Sequence, residues 1–145
     1  MKEKKINING LRELLLVGVV LLLCVVWTVM NPQFLSVNNI TNILRQASYT
    51  AIAAVGMTMI IIIGEIDLSA GSLNFEMDCI TASVVGGTSM SGGRGKVMGT
   101  IVGVLLLTVL TNGMTLVGMN TYWQQVLKGV IIVVSVLADT RGKAK

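Results

Sequence analysis

The segment with the most suggestive chemistry is a glycine-rich stretch, residues 84–96, which holds five glycines and ends in a lysine. A nucleotide-binding phosphate loop would require a glycine five residues before Gly95 and a serine or threonine two residues after it. Met90 and Val97 occupy those positions. The dinucleotide-binding pattern also fails, because its third glycine would fall at Met98. The stretch is therefore predicted to be a compact loop without a nucleotide site.

The acidic residues are the second candidate for chemistry. Glu65 and Asp67 follow an apolar run, and carboxylates within a membrane can serve as proton or ion sites. A solvated helix end is the favoured alternative for this pair. Glu76 and Asp78 are two residues apart and do not share a helical face, so they give little support for paired-carboxylate catalysis. The chain has no histidine, which excludes histidine-assisted catalysis and the common zinc sites. No catalytic, cofactor-binding or metal-binding residue is assigned.

Three glycines with a spacing of four residues, Gly95, Gly99 and Gly103, predict a smooth ridge on one face of a helix. Small residues let two helix backbones approach closely in a lipid environment. The ridge could contact another subunit, or it could pack against another helix of the same chain. The sequence leaves both alternatives open, and each requires a partner helix.

The composition places these residues in a membrane protein. The chain is 53% hydrophobic and 12% charged, whereas a soluble domain carries about 25% charged residues. The net charge of +4 comes from basic residues clustered in a few short places. Nucleic-acid-binding proteins distribute basic residues along a face, so a nucleic-acid partner is not expected. Basic residues beside apolar segments instead set the orientation in a lipid bilayer.

Four apolar runs are long enough to cross a bilayer as helices, at a rise of about 1.5 Å per residue. They are residues 14–30, 46–64, 97–119 and 122–138. Pro32 ends the first helix, and Ser36, Asn38 or Asn39 could cap the next one. Lys128 lies near the start of the fourth run and is expected to snorkel outward.

The basic residues predict the orientation. With four spans, nine lysines and arginines fall on one side of the membrane and only Arg45 and Lys128 on the other. The side with the larger number is assigned to the cytoplasm. Both polar end segments, 1–13 and 139–145, and the glycine-rich loop are therefore predicted to be cytoplasmic. The expected fold is an all-α integral membrane protein of about four transmembrane helices, with the transmembrane region over residues 14–138.

Two stretches resemble the permease subunits of bacterial ABC importers for ribose and related monosaccharides. The first stretch, residues 38–72, contains NNITNILRQ, AAVGMT and IDLSAGS. The second stretch, residues 77–129, contains MDCI, VGGTSMSGGRG and WQQVLKG. Together they cover most of the chain after the first predicted helix.

The resemblance implies a multi-pass subunit of the bacterial inner membrane that is itself no enzyme. A separate cytoplasmic ABC ATPase would hydrolyse ATP, a periplasmic binding protein would deliver the sugar, and a second permease copy would complete a homodimer in the lipid bilayer. The glycine-rich loop resembles the segment that docks on the ATPase. Its candidate docking residues are Gly86, Gly87, Ser89, Gly92, Gly93, Arg94 and Gly95. No residue is carried over as a sugar ligand.

The chain departs from the family in length. Family members are about twice as long and have roughly ten spans, whereas the two stretches here nearly adjoin at Leu73-Asn74. Glu65 also stands where the family usually has glycine. The resemblance thus implies a truncated, incomplete permease for which transport by the isolated chain is in doubt. The alternative is a small four-span membrane protein or exporter that self-associates. Small proton-coupled exporters usually carry a carboxylate in their first span, and residues 14–30 have none.

Overall fold

The computed structural model describes residues 8–64 and 73–143, with side chains described for 13–64 and 75–137. These two ranges contain helices and no strand, which confirms the predicted all-α fold. The helices are α1 Ile8–Met30, α2 Val37–Ile63, α3 Leu73–Val85, α4 Val97–Leu116 and α5 Thr121–Lys143, with a short 3-10 turn at Pro32–Leu35 between α1 and α2.

Within these ranges, three helices are long and apolar enough to cross a membrane. They are α1 over Glu13–Met30, α2 over Val37–Ile63 and α4 over Val97–Leu116. In α5 the apolar part is shorter, Thr121–Leu137. The membrane character predicted from composition is therefore confirmed, with three full-length candidates and one shorter apolar helix.

The helix ends have local causes. Ser36 caps α2, because its hydroxyl oxygen accepts a hydrogen bond of 3.2 Å from the Asn39 backbone N–H. As a result α2 begins well before the predicted span at residue 46. The opposite occurs in α4, which ends at Leu116 rather than at residue 119. There Gly118 adopts a φ of +78° and lets the Met119 N–H bond back to the Met114 carbonyl at 2.9 Å.

Sequence reasoning missed α3. The four predicted spans leave residues 73–83 without a helix, and the last two residues of α3 fall in the stretch predicted to be a loop from residue 84. The helix reaches Val85 and buries Cys79, Ile80, Ala82 and Val84. Glu76 and Asp78 interrupt the apolar pattern, and a helix of 13 residues, about 20 Å long, is too short to be detected as a span.

The helix termini meet in two groups, at opposite ends of the packed helices. At the first, which we call the loop end, lie the start of α4, the ends of α2 and α3, and residues 86–96. Lys96 pairs there with Glu13 near the start of α1, at 3.1 Å. At the opposite end, Asn31 at the end of α1 donates a hydrogen bond to the Leu116 carbonyl of α4 at 3.1 Å. Thus α1 and α4 run in the same direction, and α2 and α3 run against them.

The closest helix contact joins α3 to α4. A Cβ added at Gly103 would lie 2.1 Å from the Ala82 carbonyl oxygen, and one added at Gly99 would lie 2.1 Å from the Gly86 carbonyl oxygen. A Cβ added at Gly86 would lie 2.3 Å from the Gly99 carbonyl oxygen. Two members of the glycine ridge therefore pack within the chain, against the backbone of α3 and of Gly86, the residue that follows it. The third, Gly95, faces the side chain of Ile62 instead.

A cluster of buried hydroxyl groups joins α2, α3 and α4 beside this contact. The Thr58 hydroxyl lies 2.9 Å from that of Ser83 and 2.7 Å from that of Thr100. All three side chains have no exposed surface. Each hydroxyl also bonds to a backbone carbonyl of its own helix, so none of them is left unsatisfied in the apolar interior.

Paired amides join α2 to α4 at the opposite end. Asn39 and Asn112 exchange two hydrogen bonds of 2.9 Å, and the Asn39 amide also donates to the Phe34 carbonyl at 2.9 Å. On the neighbouring face, the indole of Trp27 lies directly over Gly113. Trp27 thus packs against α4.

The α3–α4 contact predicts a selective effect of alanine at one glycine. Gly103→Ala should destabilise the protein by about 1–3 kcal/mol, because the added methyl group must force two backbones apart. The matched control is Gly56→Ala in α2, where an added Cβ meets nothing within 4 Å. That control should be neutral or stabilising by up to about 1 kcal/mol. Unfolding of the purified protein in detergent, followed by tryptophan fluorescence, measures both. Equal stability of the two variants would contradict the close packing.

Candidate functional site

The glycine-rich loop, residues 86–96, is held in one conformation by its own backbone. The Ser89 N–H donates to the Arg94 carbonyl at 2.9 Å, and the Gly92 N–H donates to the Ser89 carbonyl at 3.0 Å. Gly92 and Gly93 have φ angles of +78° and +74°, which other residue types adopt at a cost in strain. The loop is therefore a specific structure rather than a flexible linker.

The loop is also fastened to the end of α2. The Gly93 N–H donates a hydrogen bond of 3.0 Å to the Ile62 carbonyl, and Gly92 lies against the α2 backbone at Gly64. The Ile62 carbonyl belongs to the last turn of α2, and carbonyls of the last turn have no hydrogen-bond donor within the helix. A displacement of the loop would therefore act directly on the end of α2.

The candidate docking residues differ in exposure. Gly93 and Arg94 are exposed, and Ser91 and Lys96 extend the same rim. Gly86 and Ser89 are buried, and Gly87, Gly92 and Gly95 are half-buried. The rim presents two positive side chains, and of these Lys96 is already paired with Glu13. Arg94 thus dominates the charge that this loop offers to a partner.

An ion pair lies between α3 and α5. The Lys128 Nζ is 2.6 Å from the Asp78 Oδ1, and the two side chains are 18% and 29% exposed. Lys128 therefore does not snorkel outward as the sequence suggested. A charged side chain in an apolar helix needs a partner of opposite charge, and α3, which sequence reasoning missed, supplies it. The signal available in the sequence was a lysine inside an otherwise apolar segment.

The ion pair lies in the wall of a groove of about 410 Å³ between α3 and α5. Five of its eight lining residues carry polar side chains, one on α3 and four on α5. The lining residues are Met77, Asp78, Thr121, Gln124, Gln125, Lys128, Gly129 and Ile132. Sequence reasoning assigned no role to this groove, because its residues are separated by more than 40 positions and meet only in the fold.

Other sequence-predicted residues lie outside this site. Glu65 and Asp67 fall outside the described residues, as do the first seven residues and the last two. No group of three or more potential metal ligands occurs among the described residues.

Comparison with known proteins shows related sequences. The chain is 56% identical over 72 residues to the probable ABC transporter permease protein YphD of Escherichia coli K12, which is 49% of this chain and 22% of that protein. It is 46% identical over 71 residues to the ribose import permease protein RbsC of Bacillus subtilis 168, with the same coverage. It is 45% identical over 84 residues to the galactose/methyl galactoside import permease protein MglC of Haemophilus influenzae, or 57% of this chain and 25% of that protein.

Over about half of its length, the chain is a homologue of sugar ABC importer permeases. This confirms the resemblance found in the sequence. The matched segments span about a quarter or less of each of these three relatives. No family model matches the chain, and no solved structure matches it.

The ion pair predicts a non-additive effect of its two partners. Lys128→Gln should destabilise the protein by about 2 kcal/mol, between the values typical of exposed and of fully buried pairs, because it leaves the Asp78 carboxylate unpaired. The double variant Asp78→Asn/Lys128→Gln should recover most of that loss. Lys96→Gln, which breaks the more exposed pair with Glu13, is the control and should cost less than about 1 kcal/mol. Additive losses in the double variant would show that the pair is not coupled.

Proposed function

We propose that this chain is the transmembrane permease subunit of an ATP-driven import system for ribose or a related monosaccharide. The observation that carries the proposal is the 45–46% identity to ribose and galactose/methyl galactoside import permeases, together with 56% identity to a probable ABC transporter permease. Three membrane-length helices and a polar groove between two further helices support it. The subunit has no enzymatic role in this proposal, and a separate ATPase supplies the energy.

The proposed location is the bacterial inner membrane, with the loop end in the cytoplasm. The exposed Arg94 and Lys96 at this end support the orientation, since basic residues favour the cytoplasmic side. The start of α1 lies at the same end, so the N-terminus is proposed to be cytoplasmic. The C-terminus is assigned to the cytoplasm from the basic residues of the tail.

The proposed ATPase contact is the rim of the glycine-rich loop, centred on Gly93 and Arg94. Two structural properties support this role. The loop is closed by hydrogen bonds within its own backbone, and it is bonded through Gly93 to the end of α2, so a force on the loop would reach that helix. It also follows α3 directly in the chain, so movement of the loop reaches α2 and α3 together. ATP-driven changes in the partner could thereby alter how these helices pack.

Two further partners belong to the proposal: a periplasmic sugar-binding protein and a second permease copy. A chain that matches about a quarter or less of its relatives is proposed to be an incomplete permease. The two stretches that resemble the family adjoin at Leu73-Asn74, the first residues of α3. We therefore propose that the isolated chain does not transport.

The docking proposal is tested by association with the ABC ATPase of a ribose import system. Arg94→Glu should reduce recovery of the ATPase in a pull-down by about tenfold, as expected when a charge-assisted contact becomes repulsive. Arg45→Glu is the control, because Arg45 is also an exposed arginine, lies on α2 and is assigned to the opposite side of the membrane. Undiminished recovery with Arg94→Glu would overturn the docking site.

The transport proposal is tested in proteoliposomes that contain this chain, the ATPase and the binding protein. Uptake of radiolabelled D-ribose should be absent when this chain is the only permease present. It should appear when a full-length relative replaces this chain. ATP-dependent uptake by this chain would overturn its incompleteness. Substrate movement without the ATPase would instead favour the small self-associating exporter.

A further inference from the structure

We propose that the groove between α3 and α5 is a binding site for a neutral polyhydroxylated ligand, a monosaccharide in transit. The proposal rests on the transport function proposed above and names the residues that would contact the sugar. These are Asp78 of α3 and Gln124, Gln125 and Lys128 of α5. Neither the sequence nor the relatives assign a sugar contact to them.

The first argument is that placing these polar side chains on an otherwise apolar helix costs free energy unless water or protein solvates them. The apolar part of α5, Thr121–Leu137, exposes Val126, Val130, Val133 and Val134 on its other faces. Polar groups at membrane depth persist where they line protein or a water-filled cavity. Five polar side chains, contributed by both walls of the same groove, therefore indicate a hydrated groove.

The second argument is chemical complementarity. A sugar hydroxyl both donates and accepts hydrogen bonds. The groove offers a carboxylate acceptor in Asp78, an ammonium donor in Lys128, and amides that do both in Gln124 and Gln125. Met77 and Ile132 supply apolar surface for the C–H faces of a sugar ring. The volume of about 410 Å³ lies within the range of about 300–1,000 Å³ typical of small-molecule sites.

The third argument concerns charge. Asp78 and Lys128 neutralise each other at 2.6 Å, so the groove has no net charge to attract an ion or a phosphorylated sugar. A neutral polyol can bond to both members of the pair without separating them. The ion pair thus favours an uncharged ligand over an anion or a cation.

The fourth argument is that the polar groups are held in place. The Gln124 amide nitrogen donates to the Met119 carbonyl at 3.1 Å and to the Thr115 hydroxyl at 3.3 Å. This fixes a side chain that is 9% exposed and leaves its amide oxygen for a ligand. Asp78 lies on α3, whose far end contacts Gly99 through Gly86. Because α3 connects the groove to the loop, a shift of the loop would change the distance across the groove.

The test uses a cysteine placed in the groove wall. Gly129→Cys fits without a clash, because an added Cβ meets nothing within 4 Å. It is made in a Cys24→Ala background, and the buried Cys79, which is 2% exposed, is retained. Modification by N-ethylmaleimide in nanodiscs is timed with increasing D-ribose or D-galactose, against betaine at equal osmolality. Val133→Cys is the matched control, one turn further along α5, where the side chain is 58% exposed and lies outside the groove lining.

Modification of Gly129→Cys should slow saturably with one of the sugars, by about fivefold at four times the half-protecting concentration. The rate at Val133→Cys should be the same with sugar and with betaine. Adding Asp78→Asn/Lys128→Gln, which keeps the pair neutral, should raise the half-protecting concentration about tenfold, the loss expected for one hydrogen bond to a charged group.

Three outcomes would overturn the site. The first is that N-ethylmaleimide does not modify Gly129→Cys, which means that the groove is covered or dry. The other two are a modification rate that neither sugar slows, and a rate at Val133→Cys that sugar slows equally. The ATPase pull-down is independent of this measurement. If the pull-down succeeds and protection fails, the groove assignment alone is wrong. If protection succeeds and the pull-down fails, the importer assignment is wrong.

Discussion

The backbone contact between α3 and α4 is the constraint on which the rest of the structure depends. In a bilayer, lipid tails are as apolar as leucine side chains, so burying apolar surface gives little drive for helices to associate. Close packing and buried hydrogen bonds must supply it. Gly99 and Gly103 let the carbonyls of Gly86, directly after α3, and of Ala82 in α3 approach to a distance that excludes a single methyl group. The hydroxyls of Thr58, Ser83 and Thr100 complete the contact next to it.

This contact fixes the position of both candidate sites, because they lie on the same short helix. At the end of α3 the chain enters the glycine-rich loop, whose backbone is bonded to α2 at Ile62. Two turns earlier, Asp78 reaches Lys128 on α5. A helix of 13 residues is too short to span the bilayer, and its stability comes from α2 and α4 on one side and from the ion pair on the other. Because this helix joins the loop to the groove, a displacement of the loop would be transmitted through α3 to the groove.

The sequence predicted the parts of this fold that depend on local pattern. Apolar runs located α1, α2, α4 and α5, the cap at Ser36 explains one boundary, and glycine spacing predicted that a helix would pack against Gly99 and Gly103. The identity of that helix was not predictable, since α3 is short and carries Glu76 and Asp78. Lys128 was misread for the same reason: its partner lies 50 positions away and is brought near only by tertiary packing. Composition predicted the loop, but its anchoring to α2 is a long-range contact.

One face of α2 connects the structure to the proposed incompleteness. Arg45, Gln46, Ser48 and Tyr49 are all exposed there, and among the described residues no carboxylate pairs with Arg45. Exposed valines and leucines on α1 and α5 need no explanation in a membrane protein, because lipid covers them. Arg45, assigned to the membrane side opposite the loop, and the exposed polar side chains beside it do need one, because lipid tails do not solvate them. This face therefore requires water or further protein against it. Where protein covers it, the proposed permease offers two sources: a second copy of this chain, or the further helices that the proposed incompleteness implies.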